Sequence, residues 1–262
     1  MGRVPAGENS VRPGASLVGV LTVLAGDVLA DRIGDGPASV LALHGWGRSG
    51  ADFAAILHGC DALAVHLPGF GTTAPPPTVW GSEDYAEHLV PGLAGSGPFV
   101  VVGHSFGGRV AVRLAVAYPE LVSALVLTGV PLVRATPPPR PALALRVAKR
   151  LRAAHLVPAS VVERIRRHSG SADYRAAEGV MRDVLVRVVR EDYRDDLARL
   201  TVPVHLVWGE DDDAAPLAGA RLAAEVLGVD VEVVPGAGHL LDGALARAVR
   251  VRLLAVLGEG DR

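Results

Sequence analysis

Cysteine is nearly absent: Cys60 stands alone in 262 residues, which excludes an intramolecular disulfide and a cysteine-built metal cluster. That usage fits a reducing compartment, so a cytoplasmic location is the expectation. Lysine is equally rare, with Lys149 the single example, while Ala, Arg, Val and Gly abound. Such a bias is that of a GC-rich bacterial genome. No run of 18 or more apolar residues occurs, so no membrane-spanning helix is expected. An excess of one charge is missing too. The net charge of −2 leaves no global field to draw the chain to nucleic acid.

The near-neutral total hides an asymmetry. Residues 131–200 hold 15 of the 26 Lys/Arg but only 8 acidic residues, a local balance of about +7 against about −9 for the rest. Half of the residues are hydrophobic and about a fifth are charged, a globular composition with ample material for a core. The length suits one large α/β domain or one carrying an inserted lid, and would also admit two small domains.

Residues 1–15 are rich in Gly, Pro and polar types and are expected to form a loose terminus. Leu17–Ala25, with Arg3 and Arg12 ahead of it, has the look of a short signal-peptide core. A first strand is the preferred reading, because cleavage there would remove part of a sheet. The runs Leu17–Leu24 and Val28–Ile33, split by Gly26-Asp27, read as a hairpin. From Val40 onward, short apolar runs alternate with helical stretches: Val40–Leu43, Leu63–Leu67, Phe99–Val102, Ala124–Leu127, Val204–Val207 and Val231–Val234. Near-continuous apolar strands of this kind suit a mostly parallel sheet covered on both faces.

Helix punctuation agrees. Gly107–Tyr118 stops at Pro119, which cannot continue a helix. The helix opened by Pro216 ends near Gly228. A last helix carries Leu241, Leu245, Val249, Leu253 and Val256 at core-facing spacing, with Gly258 following. Residues 131–200 interrupt the alternation. They open on a proline cluster (Pro131, Pro137–Pro139, Pro141) and continue as Arg-rich amphipathic helices. A helical cap over 131–200 is therefore expected, inserted in a core made of 16–130 and 201–262.

The sharpest chemical signal is Gly103-His104-Ser105-Phe106-Gly107-Gly108, between the strand Phe99–Val102 and the helix Gly107–Tyr118. G-x-S-x-G carries meaning in that strand–turn–helix setting. A nucleophile on so sharp a turn adopts an unfavourable backbone conformation, and the residues two before and two after it must be small. The turn lifts the Ser105 hydroxyl off the sheet. It also puts the Phe106 amide at a helix N-terminus, where developing negative charge is favoured.

A serine hydroxyl needs a base. Of nine histidines, His239 sits in a flexible loop, Pro235–His239, between a strand and the last helix, where ligands gather in open α/β sheets. His155 and His168 fall in the expected cap, His58 and His88 near helices in polar company, and His205 inside a strand. His44 and His104 flank the site and are expected to be structural. The base needs an orienting carboxylate. Glu210-Asp211-Asp212-Asp213 follows the strand Val204–Val207 and offers four acids in a row. An oxyanion hole needs two backbone donors. Phe106 supplies one, and Trp46, in the glycine turn His44-Gly45-Trp46-Gly47, is the expected second.

These motifs together resemble the α/β-hydrolase superfamily, over about residues 17 to 258. His44-Gly45-Trp46 resembles its H-G-x oxyanion motif, and His66-Leu67-Pro68-Gly69-Phe70-Gly71 its D-x-P-G-x-G loop. Gly103–Gly108 resembles its nucleophile elbow, Gly209–Pro216 its G-x-x-D-x-x-x-P acid loop, and Gly238-His239 its G-H. The resemblance implies an eight-stranded, mostly parallel α/β sheet with a helical cap, and it singles out Asp212 as the acid. His66 departs from the pattern, standing where the family usually has an acid. Ser105 argues against haloalkane dehalogenases and epoxide hydrolases, which resemble this pattern but carry aspartate at the elbow. Lid-bearing esterases, lactonases, carbon–carbon bond hydrolases and biotin-pathway esterases remain similar. The expectation is a serine hydrolase, a serine esterase cleaving a small carboxylic ester or thioester as its small-molecule acyl substrate, with no cofactor and no metal. The alternative is a carbon–carbon bond or lactone hydrolase using the same triad, and the third reading is a non-catalytic binding protein on the hydrolase scaffold. The basic segment suggests that arginines of 131–200, or Arg48 beside the oxyanion loop, greet an anionic substrate.

Overall fold

The computed structural model describes residues 19–134, 150–153, 156–158, 160–161 and 172–260. Residues 1–15, Pro137–Pro139, Pro141, His155 and His168 lie outside the described residues. Eight short strands form one sheet: β1 (Val20–Ala25), β2 (Val28–Ile33), β3 (Val40–Leu43), β4 (Ala62–His66), β5 (Phe99–His104), β6 (Val122–Thr128), β7 (Val204–Gly209) and β8 (Val231–Val234). Their order is β1-β2-β4-β3-β5-β6-β7-β8. β2 runs antiparallel to both of its neighbours, and the remaining pairings are parallel. This is the expected mostly parallel eight-stranded sheet, with the hairpin turning at Gly26-Asp27.

Both faces of the sheet are covered at its centre, which is why β3 and the run Phe99–Val102 of β5 read as unbroken apolar runs. Alternate side chains of one strand enter different cores. Leu41 and Leu43 join Val101, Leu125 and Leu127 beneath α2 (Ser82–Leu93), α3 (Phe106–Ala117) and α7 (Leu217–Leu227). Val40 and Ala42 join Val100, Val102 and Val126 against α1 (Ala54–Leu57) and α8 (Gly243–Gly260). All four residues of β3 are fully buried, and each such Val or Leu contributes about 1.5–3 kcal/mol.

The helix punctuation holds in two places and fails in one. α3 ends at Ala117 ahead of Pro119, and α7 ends at Gly228, whose left-handed backbone caps it. α8 begins at Gly243, so Leu241 lies before it, and the helix passes through Gly258 to Gly260. A helical glycine costs only about 1 kcal/mol. Leu245, Val249, Leu253 and Val256, buried against the sheet, hold this helix regardless.

The described residues between β6 and β7 include three helices, α4 (Ala172–Ala176), α5 (Gly179–Val188) and α6 (Arg194–Arg199). α5 buries Met181, Val184, Leu185 and Val188 as part of the core beneath α2 and α3. A polar knot secures the returning chain. The Glu191 carboxylate accepts the Ser82 hydroxyl at 2.7 Å and the Tyr193 hydroxyl at 2.5 Å, while Arg113 pairs with Asp196 at 2.7 Å. No helix among the described residues is long and apolar enough to cross a membrane.

β3 lies between β4 and β5. The chain leaves β3 towards one side and returns to β5 on the other. The carboxyl ends of these two strands therefore bound a topological switch point, where an open sheet presents a crevice. Residues 44–47 and 104–106 emerge there.

Candidate active site

Ser105 occupies the single residue between β5 and α3, with φ 50° and ψ −115°. Among the described residues it is the one non-glycine with positive φ, a strain of about 1–3 kcal/mol that its surroundings must hold in place. They do so by close approach. A Cβ at Gly103 would lie 2.5 Å from the Cα of Gly108, and one at Gly107 would overlap the carbonyl oxygens of Leu43 and His44. Only glycine lets the start of α3 rest directly on β3. The Ser105 amide donates to the Thr128 carbonyl at 3.0 Å and the Gly108 amide to the Ser105 carbonyl at 3.1 Å. Phe106 opens α3, where the first amides lack intrahelical acceptors.

The loops after β7 and β8 bring the other two groups to this turn. His239 Nε2 lies 3.1 Å from Ser105 Oγ, and Nδ1 lies 2.8 and 3.0 Å from the two oxygens of Asp212. An ionised carboxylate only accepts, so Nδ1 carries the proton and Nε2 is left to accept from the serine hydroxyl. Asp212 is buried. Its Oδ1 also accepts the amides of Ala214 at 2.9 Å and Ala215 at 2.7 Å. Glu210, Asp211 and Asp213, its three neighbours in the acidic run, are exposed. The Asp211 amide donates to the Ala237 carbonyl and that of Glu210 to the Val234 carbonyl, stitching the acid loop to the histidine loop.

Two further histidines are spent on backbone. His44 donates from Nδ1 to the Gly45 carbonyl at 2.7 Å and accepts the Leu67 amide at Nε2 at 3.1 Å. Burial above all pushes its pKa down to about 4. His104 donates from Nε2 to the His239 carbonyl at 2.9 Å, and burial, then the His239 ring, pushes it down to about 4. Both therefore stay neutral and fix the loops around the serine. His66 is buried in β4 with Nε2 3.1 Å from Asp31 on β2. His88 meets Asp27 at 3.1 Å, His58 is exposed, and His205 is half-buried in β7.

Trp46 packs edge-on against Phe70 and Phe106. With Ser105, Phe106 and His239 it lines a cavity of about 810 Å³, within the range of small-molecule sites. Leu185, Val188 and Val189 build part of the wall from the segment between β6 and β7. Arg48 lines the same cavity, but its guanidinium is bound in a fork by Asp52 at 2.6 and 2.8 Å, which takes up its charge.

Sequence reasoning missed two residues here. Gly129, directly after β6, has φ +60°, and a Cβ on it would reach within 3.0 Å of the His239 ring. A glycine closing a strand was the available signal. Arg109 lines the cavity from inside the apolar stretch of α3, where a charge in the helix's first turn was the clue.

A family model described as the alpha/beta hydrolase family matches residues 40–251. The chain is 42% identical over 113 residues to lipase LipV of Mycobacterium tuberculosis, covering 38% of this chain and 41% of that protein. It thus spans about two fifths of that relative's length. It is 26% identical over 242 residues to a 2-hydroxy-6-oxononadienedioate/2-hydroxy-6-oxononatrienedioate hydrolase of Pseudomonas sp, covering 82% of this chain and 86% of that one. Among solved structures, a thermophilic esterase from Thermogutta terrifontis superposes with a TM-score of 0.65 at 24% identity, over 92% of this chain and 97% of the other. Sheet order, elbow and family match point the same way, and the chain belongs to the alpha/beta hydrolase family.

Proposed function

We propose that this protein is a serine hydrolase that cleaves small carboxylic esters or thioesters through an acyl-enzyme on Ser105. The observation that carries the reading is one imidazole bridging two groups, 3.1 Å from Ser105 Oγ and 2.8 Å from Asp212. His239 Nε2 takes the hydroxyl proton as Oγ attacks the carbonyl carbon. Asp212 holds the ring in the accepting tautomer and stabilises the cation that forms. The amides of Trp46 and Phe106 receive the oxyanion, and losing either donor would cost about 3–4 kcal/mol in the transition state. His239 then protonates the leaving group, activates a water, and the acid departs. These steps call on no metal and no organic cofactor.

In this reading residues 16–130 and 201–262 form the catalytic core and 131–200 the cap. The cavity wall contributed by Leu185, Val188 and Val189 supports that role. The single cysteine and the Arg-rich, Lys-poor composition support a bacterial, cytoplasmic setting.

A second reading, carbon–carbon or lactone hydrolysis by the same three groups, has one observation in its favour. The Pseudomonas relative, matched over 82% of this chain, is named as a hydrolase of an oxo-dienedioate. Fluorophosphonate labelling of the folded protein tests the shared mechanism, and a panel of p-nitrophenyl esters, lactones and vinylogous diketones separates the two substrate classes. A folded protein whose Ser105 stays unlabelled would be a binding protein on a hydrolase scaffold.

A further inference from the structure

Arg109 stands one helical turn beyond Ser105, on the same face of α3, at a rise of about 6 Å. It lines the cavity that Ser105 and His239 open into, yet it is only 7% exposed. Its terminal nitrogens each donate once to backbone, to the Val188 carbonyl at 2.5 Å and to the Pro131 carbonyl at 3.1 Å. Each keeps a second N–H, and Nε, fully buried, has no partner among the described residues. No carboxylate among the described residues forms a salt bridge with it.

A buried cation without a counter-ion is costly, and the local charge makes it more so. Arg134 lines the same cavity, donates to the Val189 carbonyl, and adds repulsion to the burial that already lowers the Arg109 pKa. Glu191 and the Tyr193 ring offset this in part. Among the described residues that line the cavity, Asp173 is the one carboxylate, against Arg48, Arg109 and Arg134. Arg48 is already neutralised by Asp52. Among the described residues, two guanidiniums thus line the space beyond the serine against one carboxylate, and Arg109 has donors to spare.

We propose that Arg109, with Arg134 beside it, forms an anion subsite for the acyl portion of the substrate. The preferred substrates are then esters whose acyl chain carries a carboxylate a few carbons from the scissile carbonyl. This rests on the serine-hydrolase reading and adds to it a substrate class. The basic character noted in the segment 131–200 contributes Arg134. The decisive cation comes from the helix that carries the oxyanion donor.

Matched pairs test it: methyl hexanoate against monomethyl adipate, with the succinate and glutarate homologues and their neutral partners. In the wild type, kcat/KM should favour the carboxylated member by about 10- to 100-fold at one or more chain lengths. Arg109→Met should collapse that ratio, and Arg109→Lys should retain part of it. A global structural defect would lower both members together and leave the ratio standing. Free adipate should also slow fluorophosphonate labelling of wild-type Ser105, and Arg134→Ala, a change at an exposed residue, should weaken that protection even if the Arg109 variants do not fold. Normal labelling that adipate leaves untouched, with no preference in any pair, overturns the subsite alone. Absence of labelling overturns the parent reading and the subsite with it.

Discussion

Replacing Asp212 with asparagine changes one atom's hydrogen-bonding sense at a position where the surroundings dictate which atom it is. Oδ1 accepts two backbone amides, from Ala214 at 2.9 Å and Ala215 at 2.7 Å. An asparagine must keep its carbonyl oxygen there, since its amide would otherwise face two donors. The NH2 group then takes the place of Oδ2, 2.8 Å from His239 Nδ1. A donor at that point favours acceptance by Nδ1 over its longer 3.0 Å donation to Oδ1, which already accepts two amides, and so moves the ring proton to Nε2. Nε2 then presents a hydrogen to Ser105 Oγ at 3.1 Å and cannot take the hydroxyl proton. Both the accepting tautomer and the stabilisation of the imidazolium are lost. The expected fall in kcat is about 10⁴-fold, or about 5 kcal/mol. Asp211→Asn and Asp213→Asn are the controls, because both residues are exposed, and their rates should stay within about twofold of wild type. The assay is p-nitrophenyl acetate turnover at pH 8, normalised to folded protein by circular dichroism. An Asp212→Asn enzyme that keeps a tenth of its rate, or an Asp211→Asn enzyme that loses as much, refutes the tautomer argument.

Ser105→Ala should remove turnover and fluorophosphonate labelling while leaving the thermal transition in place, since it takes out a hydroxyl rather than a core contact and keeps Cβ on the same strained backbone; residual turnover at the wild-type pH profile would contradict this. Gly107→Ala should cost more than about 2 kcal/mol in stability, because its Cβ would overlap β3 carbonyls. Gly47→Ala, whose Cβ meets nothing within 4 Å, should cost about 1 kcal/mol, and equal melting temperatures for the two would oppose the packing account. His44 and His104 are held near pKa 4 against an ordinary 6.5, so between those values the unfolded chain binds more protons than the folded one. Stability should fall as pH drops from 6.5 towards 4, by on the order of 3 kcal/mol per histidine; urea midpoints at pH 7.5 and 5 should show the loss, and His44→Gln should lessen it.

Much of this architecture was legible because the chemistry is local. A parallel strand buried on both faces must be apolar throughout, so Val40–Leu43 announces itself to the residue, while the edge strand Val231–Val234 is half-buried and admits Glu232. Gly103 and Gly107 bracket Ser105 because no side chain fits against β3. The acid was not legible from the residues alone. Glu210, Asp211, Asp212 and Asp213 are chemically alike, and what separates Asp212 is burial beneath His239 and two amides from its own loop, a tertiary circumstance that only the family spacing hinted at. Gly258 misled as a helix stop, since the packing of Leu245, Val249 and Leu253 outweighs one weak propensity. Strand order escaped as well, for nothing in β3 states that β4 and β5 will flank it. Arg109 was hidden for a related reason: its meaning lies in the carbonyls of Pro131 and Val188, which the fold brings to it from 22 and 79 residues away.

The glycines at 103, 107 and 108 have a bearing on how this scaffold diversifies. At each of them an added methyl meets backbone or a packed valine, so the base of the site tolerates almost no variation. Val133, Leu185, Ala218 and Leu240 stand around the same cavity without carrying the reacting atoms. A directed-evolution library that randomises those four positions and spares the elbow would explore new specificities while most of its members kept the machinery intact.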